Sequence, residues 1–343
     1  MSGEADEAEI IRPRMTAQLF GHRDAEQTLL DSYRTGRLPH AWLMTGPPGI
    51  GKATLAYRMA RFVLAHPDPH APAVRSATSL AVEPDHPTAR RIAAQAQPDL
   101  LVLRRTINEK TGKLRQDIAV DDVRRTVTFF GSTPGEGGWR IAIVDCVDEL
   151  NSEGANALLK ILEEPPRRAL LLLVSHSAGR VLPTIRSRCR LLPLRPLAAE
   201  EVEQAAAAAL GPDGQDDIQT AAMVADGSVA RALALLDNDA LELRNRIVAL
   251  LDRLPAVDPR ALHALGDRLA GTDAAPLAAF VDTVNAWLCA RLDQEPREPA
   301  RLVRVAQAWE SINATARDAQ EYNLERRPLV FSVFGTLADA VRG

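Results

Sequence analysis

The chain has 343 residues, 46% of them hydrophobic and 25% charged, with a net charge of −4. That length exceeds what one hydrophobic core usually serves, so two or three domains are expected. The lack of an apolar run near the roughly 18 residues of a bilayer span excludes a membrane-embedded chain, and the mild acidity excludes DNA capture by bulk charge while leaving room for a local basic face. Three cysteines (Cys146, Cys189 and Cys289), far apart and without a C-x-x-C pair, exclude a disulfide scaffold and a zinc framework.

The first nine residues, Met1-Ser2-Gly3-Glu4-Ala5-Asp6-Glu7-Ala8-Glu9, are acidic and lack the basic and apolar regions of a secretory signal. They read as a short solvated tail on a cytoplasmic protein. Ala41 to Met44 is a short apolar run followed by Gly46-Pro47-Pro48-Gly49-Ile50-Gly51-Lys52 and then by a helical pattern, Ala53 to Leu64. A strand, a glycine-rich loop and a helix N-terminus in that order form a phosphate-cradling loop. Its glycines let backbone N–H groups close on anionic oxygens, and Lys52 supplies charge for the outer phosphates. The hydroxyl that should follow the lysine and hold magnesium is replaced by Ala53. Thr54 is one residue late, which turns it about 100° around the helix.

His66 to Pro87 is rich in proline and alanine without clear periodicity, and is expected to form an exposed insertion. Pro67 and Pro69 break the helix that could align His66 with His70, so these two and His86 read as solvated loop histidines rather than metal ligands. Further apolar runs, Leu100 to Leu103, Ile141 to Val144, Leu170 to Val174 and Leu191 to Leu194, alternate with helical stretches at Val120 to Phe130 and Glu153 to Leu162. That alternation predicts a doubly wound parallel sheet whose ligands sit at the strands' carboxyl ends.

Asp145 lies at one such end, suited to holding magnesium through water or, alternatively, to capping a loop. Beside it stands Cys146, whose thiol cannot serve as a carboxylate base. Asp148 and Glu149 follow closely and read as surface carboxylates unless the backbone bends. Ser187-Arg188-Cys189 comes after a Gly179 turn and Leu182-Pro183-Thr184-Ile185-Arg186. Its arginine is either a surface ion-pair partner or a cation able to reach a neighbour's γ-phosphate. Ala198 to Leu236 is helical with a loop at Gly211 to Asp217, and Asp226-Gly227-Ser228-Val229-Ala230-Arg231 reads as a helix cap followed by a solvated arginine. Leu241 to Gly343 is nearly all helical.

The run Asn156-Ala157-Leu158-Leu159-Lys160-Ile161-Leu162-Glu163-Glu164-Pro165-Pro166, then Thr184-Ile185-Arg186-Ser187-Arg188-Cys189, with Leu38-Pro39-His40-Ala41 upstream and Tyr322-Asn323-Leu324-Glu325-Arg326-Arg327 near the end, resembles the clamp-loader subunits of bacterial DNA polymerase III. The similarity covers essentially the whole chain and is greatest to the delta-prime type. It implies an AAA+ fold: a P-loop α/β domain with a parallel sheet over residues 1–196, a small helical lid over 197–240 and an all-α collar over 241–343. It further implies membership of a ring, with motor (gamma/tau) and delta subunits, that opens a sliding clamp and places it on primed DNA.

In that family the arginine matching Arg188 reaches into the ATP site of the adjacent motor subunit. Ser175, or His176 beside it, matches a polar sensor, and the lid arginine falls at Ala230, one place before Arg231. Motor members carry a glutamate where Cys146 stands and a hydroxyl where Ala53 stands, and many carry a four-cysteine zinc module that His66 to Pro87 lacks. The expectation is an ATPase-inactive subunit with a degenerate nucleotide site of Gly46, Gly49, Gly51, Lys52, Thr54, Asp145 and Ser175, acting through Arg188 in trans. The loop allows ATP or ADP, Ala53 argues against magnesium, and no zinc or other metal is expected. Two alternatives stand beside it: an ATP-hydrolysing motor that uses Thr54 and Asp148, and a static ATP-binding adaptor outside replication.

Overall fold

The computed structural model describes residues 13–107, 115, 117–131, 138–211, 217–236, 238–271, 275–294, 299–322 and 324–342. The acidic tail, most of the 211–217 loop and Asn323 thus lie outside the described residues. The chain divides into two compact units, Met1–Leu233 and Ala234–Gly343.

In the first unit, α1 (Arg23–Arg34) precedes β1 (Ala41–Thr45), and the phosphate loop leads into α2 (Lys52–Ala65). Short helices α3 (Pro72–Ser76) and α4 (Pro87–Ala93) precede β2 (Leu100–Arg104), α5 (Val120–Gly131), β3 (Arg140–Asp145) and a 3-10 turn at Val147–Glu149. Then come α6 (Ser152–Glu163), β4 (Ala169–Ser175), α7 (Pro183–Arg186) and β5 (Arg190–Pro193). The five strands are all parallel in the order β2-β3-β4-β1-β5, with Ala41 opposite Leu171 and Arg104 opposite Asp145.

Every residue of the adjacent inner strands β1 and β4 is buried, which is why their sequences are continuous apolar runs rather than alternating ones. The side chains still alternate in space. Trp42, Met44, Ile141, Ile143, Leu170 and Leu172 join α1 and α2 in one core layer. Ala41, Leu43, Ala142, Val144, Leu171 and Leu173 join α5 and α6 in the other. Burying each large apolar side chain contributes about 1.5–3 kcal/mol, so this three-layer interior fixes the strand ends that carry the site.

The region from His66 to Pro87 is not the exposed insertion that its composition suggests. Val74 and Leu80 are fully buried in the α1/α2 layer. Arg34 donates to the carbonyls of Val74 and Ala77, and Glu26 Oε1 accepts from the Leu80 N–H at 3.0 Å. With α3 only five residues long, two apolar anchors never build a periodic pattern. His66 and His86 are half-buried rather than solvated: the His66 ring packs 4.9 Å from Phe62 and 6.4 Å from His86. The His86 ring also caps α4 by accepting from the Thr88 N–H at 3.2 Å. Of these three histidines His70 alone is exposed.

After β5 come α8 (Ala199–Leu210), α9 (Ile218–Val224) and α10 (Val229–Leu235), whose first turn meets the phosphate loop: the N–H groups of Val229 and Ala230 donate to Gly49 O at 3.0 and 3.4 Å. The second unit contains α11 (Asn238–Leu251), α12 (Pro259–Leu269), α13 (Ala275–Gln294), α14 (Pro299–Glu321) and α15 (Arg326–Arg342). These surround their own core, with Ile247, Leu265, Phe280, Val284, Val330 and Phe334 buried inside it. Asn285 on α13 and Asn313 on α14 exchange two amide hydrogen bonds of 3.1 Å, and Pro259 at the start of α12 is preceded by Asp258, which caps the Arg260 N–H.

Candidate nucleotide site

The phosphate loop leaves β1 and turns into α2 through three glycines with positive φ: Gly46 at 148°, Gly49 at 75° and Gly51 at 100°. A side chain at Gly46 would place its Cβ 2.5 Å from Leu194 O, so glycine there is required by space as well as by conformation. The α2 helix begins at Lys52 without a side-chain cap on its N-terminus, the arrangement that favours an anion. Beside it opens a cavity of about 950 Å³. Its walls comprise the 13–20 segment, Gly49 to Thr54, Arg104, Asp145, Val174, His176, and Leu197, Ala205, Val229 and Ala230 from the β5–α10 region. The wall combines apolar side chains with the charged Lys52, Arg104 and Asp145, a mixture that suits a ligand with a flat ring and an anionic tail.

Lys52 does not extend into this space. Its Nζ donates to Gly46 O at 2.6 Å and to Pro47 O, folding the side chain back along its own loop. Burial lowers its pKa to about 8, against the opposing pull of Cys146, Asp145 and Asp148. Ala53 lines the cavity with no oxygen to offer, and Thr54, also on the wall, is nine-tenths buried. Asp145 sits at the carboxyl end of β3. Burial raises its pKa, opposed by Lys52 and by Arg104, its register neighbour on β2. The phosphates of a nucleotide fit a loop of this shape, while the position directly after Lys52 offers a magnesium ion no oxygen.

Cys146 is buried, and burial pushes its thiol up to about 12, so it is neutral near pH 7. Its Sγ lies 3.5 Å from His176 Nδ1. Asp148 and Glu149 are not surface carboxylates. The 3-10 turn bends the chain back over the exit of β4, where Asp148 Oδ2 accepts from the N–H groups of His176 (2.6 Å) and Ser177 (3.1 Å). Asp148 Oδ1 is buried without a hydrogen-bond partner. Glu149 is half-buried and pairs with Arg105 at 2.8 Å, burial raising its pKa. The strand ends at Asp145, and the bend that follows brings both carboxylates inward.

Ser175 is fully buried and its hydroxyl accepts from the Ser177 N–H at 3.1 Å. Strand alternation turns it away from the cavity, where Val174 and His176 form the wall instead. Arg188 follows α7 and stands outside the cavity wall, its side chain 36% exposed. One Nη donates to Thr184 O at 3.0 Å and the other pairs with Glu163 at 2.8 Å. Arg231 is turned toward Asp226, 2.6 Å away, while Ser228 Oγ caps its N–H.

The structure thus brings Gly49, Gly51, Lys52, Thr54, Asp145 and His176 together and leaves Ser175 and Arg188 apart. It also adds residues that the sequence reading overlooked. Arg104 directly follows an apolar strand run, a position where ligand contacts concentrate, and could have been found on that ground. His22, with φ of 54° and a ring nitrogen 2.7 Å from Ile50 O, steadies the back of the loop; burial lowers its pKa. Neither it nor the 13–20 segment carries a local signal.

Comparison with known proteins gives the context. The family model described as DNA polymerase III, delta subunit, matches residues 21–198, just over half of the chain. The DNA polymerase III subunit delta' of Pseudomonas aeruginosa is 35% identical over 63% of this chain and 61% of its own length. That of Escherichia coli K12 is 31% identical over 68% and 65%. The gamma/tau subunit of Mycobacterium tuberculosis H37Rv is 27% identical over 80% of this chain and 46% of that one. The chain therefore spans about half to two-thirds of the length of these relatives. Among solved structures, a DNA polymerase III gamma-subunit-related protein of Thermotoga maritima has a TM-score of 0.41 at 17% identity, covering 91% of this chain and 99% of that one. The Thermotoga maritima RuvB Holliday junction branch migration motor has 0.43 at 15%, covering 94% and 91%. With its phosphate loop behind an inner strand of a helix-flanked parallel sheet, the chain has a parallel α/β fold and belongs to the DNA polymerase III delta-subunit family, with similarity to the delta' subunits of two bacteria.

Proposed function

We propose that this chain is a non-hydrolysing clamp-loader subunit that acts on its neighbours. The observation that carries the reading is the end of β3, where a buried, neutral thiol at Cys146 stands in the position a hydrolytic base requires. Ala53 removes the hydroxyl that steadies magnesium, so both halves of the hydrolytic apparatus are lacking. Arg188 supports the complementary half of the proposal. It stands outside the chain's own cavity, is partly exposed, and is held by one exposed carboxylate, Glu163, together with the Thr184 carbonyl and the Ser187 hydroxyl. Such an exposed pair is worth about 0–1 kcal/mol, so the Nη that faces Glu163 can exchange that carboxylate for a phosphate on an adjacent motor subunit while the other Nη stays on Thr184 O.

The division of labour follows: residues 1–196 as the P-loop domain, 197–240 as a lid and 241–343 as a collar that joins gamma/tau and delta subunits in loading the sliding clamp onto primed DNA in the cytoplasm. ATP or ADP fits the cavity as a static ligand. The Gly46–Lys52 loop, the α2 N-terminus and Arg104 would hold its phosphates, and the 13–20 segment with α8 would cover its base. When bound, it supplies negative charge that draws Lys52 off its loop carbonyls; no residue on this chain then activates water.

The test is a reconstituted assembly carrying Arg188→Ala. The proposal expects an intact fold by circular dichroism and a reduced DNA- and clamp-stimulated ATPase. Unchanged stimulated ATPase overturns it.

A further inference from the structure

The exits of β3 and β4 place three side chains of metal-binding type together, and the nucleotide site uses only one of them. Cys146 Sγ, a ring nitrogen of His176 and a carboxylate oxygen of Asp148 all lie within 4.8 Å of one another. The sulfur and nitrogen are 3.5 Å apart. In a tetrahedral shell with metal–sulfur near 2.3 Å and metal–nitrogen near 2.0–2.1 Å, those two donors stand about 3.5 Å apart, so this edge already has the right length.

The carboxylate is prepared in the same sense. Asp148 Oδ2 is anchored by the N–H groups of His176 and Ser177, which orients the group. Its Oδ1 is left buried with no hydrogen-bond partner, an arrangement that costs free energy unless something else fills it. Sulfur and imidazole nitrogen are poor donors for magnesium and good ones for zinc-class ions.

We propose that Cys146, Asp148 and His176 form a three-ligand site for a borderline divalent ion of the zinc class, with water from the adjacent cavity in the fourth position. A thiolate and a carboxylate balance the dication, and the neutral imidazole completes the protein's share. On binding, the metal–sulfur bond forms as the thiol proton leaves to solvent. The ion ties the exit of β3 to the exit of β4. The sequence hides the site because its ligands come from two strands and match no familiar spacing.

The experiment uses the full chain stripped with a chelator and titrated with cobalt(II), then with zinc as competitor. The expected result is one equivalent of cobalt giving tetrahedral d–d absorption and a sulfur-to-cobalt charge-transfer band, both displaced by zinc. Cys146→Ala should abolish that band and weaken binding at least about 100-fold, since even loss of an outer partner costs about 10–100-fold. His176→Ala should weaken binding comparably, whereas Cys189→Ala and Cys289→Ala should change neither readout. No charge-transfer band at one equivalent, or a band that survives Cys146→Ala and disappears in Cys289→Ala, overturns the assignment. Thermal melting of each metal-free variant separates lost ligation from lost fold. Because nucleotide turnover is not the readout, the outcome is independent of the proposed role in the clamp loader.

Discussion

Two cations define the chemistry at the scale of single residues, and they face different ways. Lys52 is buried against its own loop carbonyls with a pKa near 8. Below that value it is protonated and available to an anion, and above it the charge is lost. The affinity of the isolated chain for nucleotide is therefore expected to fall as pH rises from 7 to 9, approaching about tenfold per unit above the free-state pKa. Titration calorimetry across that range checks the slope, and Lys52→Ala should remove it. Arg188 lies outside that pocket. If it serves a neighbour's γ-phosphate, Arg188→Ala slows hydrolysis at that one interface by on the order of 10³-fold or more, and Arg188→Lys does not restore it, because an ammonium lacks the bidentate planar head. Single-turnover ATPase of the reconstituted assembly distinguishes the affected interface from the rest.

At the scale of elements, the parallel strands and the helices between them were legible because a sheet covered on both faces imposes uninterrupted apolar runs, and a helix imposes its own period. Each of the five runs, from Ala41 to Leu194, corresponds to a strand within a residue or two. The segment from His66 to Pro87 was not legible, since what holds it is long-range: Glu26 on α1 accepts from the Leu80 N–H and pairs with Arg58 on α2 at 2.5 Å. Both partners of that ion pair are buried. Glu26→Ala strands the Arg58 charge and releases the Leu80 backbone, so a loss of about 3–5 kcal/mol is expected, measured as a lower urea midpoint with an unchanged slope. The site was half legible for the same reason. Glycine spacing and a strand-end aspartate are local signals, whereas the return of Lys52 to its own loop, the inward turn of Asp148 and the burial of Ser175 depend on how distant elements pack.

On the scale of the molecule, the chain is two units, each with its own core. The second unit carries exposed apolar side chains on α14, among them Leu302 and Trp309, 39% and 46% exposed and about two turns apart. In the proposed collar, Trp309→Glu should leave the melting temperature of the isolated chain nearly unchanged and weaken co-assembly with gamma/tau and delta subunits by tenfold or more, read by size-exclusion chromatography at decreasing concentration. In the proposed role this chain lacks the groups to activate water and works through others. Steady-state ATP turnover by the purified chain alone, with Lys52→Ala as its control, decides between that role and a motor. The expected result is turnover indistinguishable between the two proteins and no higher than background. Motor-like turnover that disappears with Lys52→Ala would contradict it.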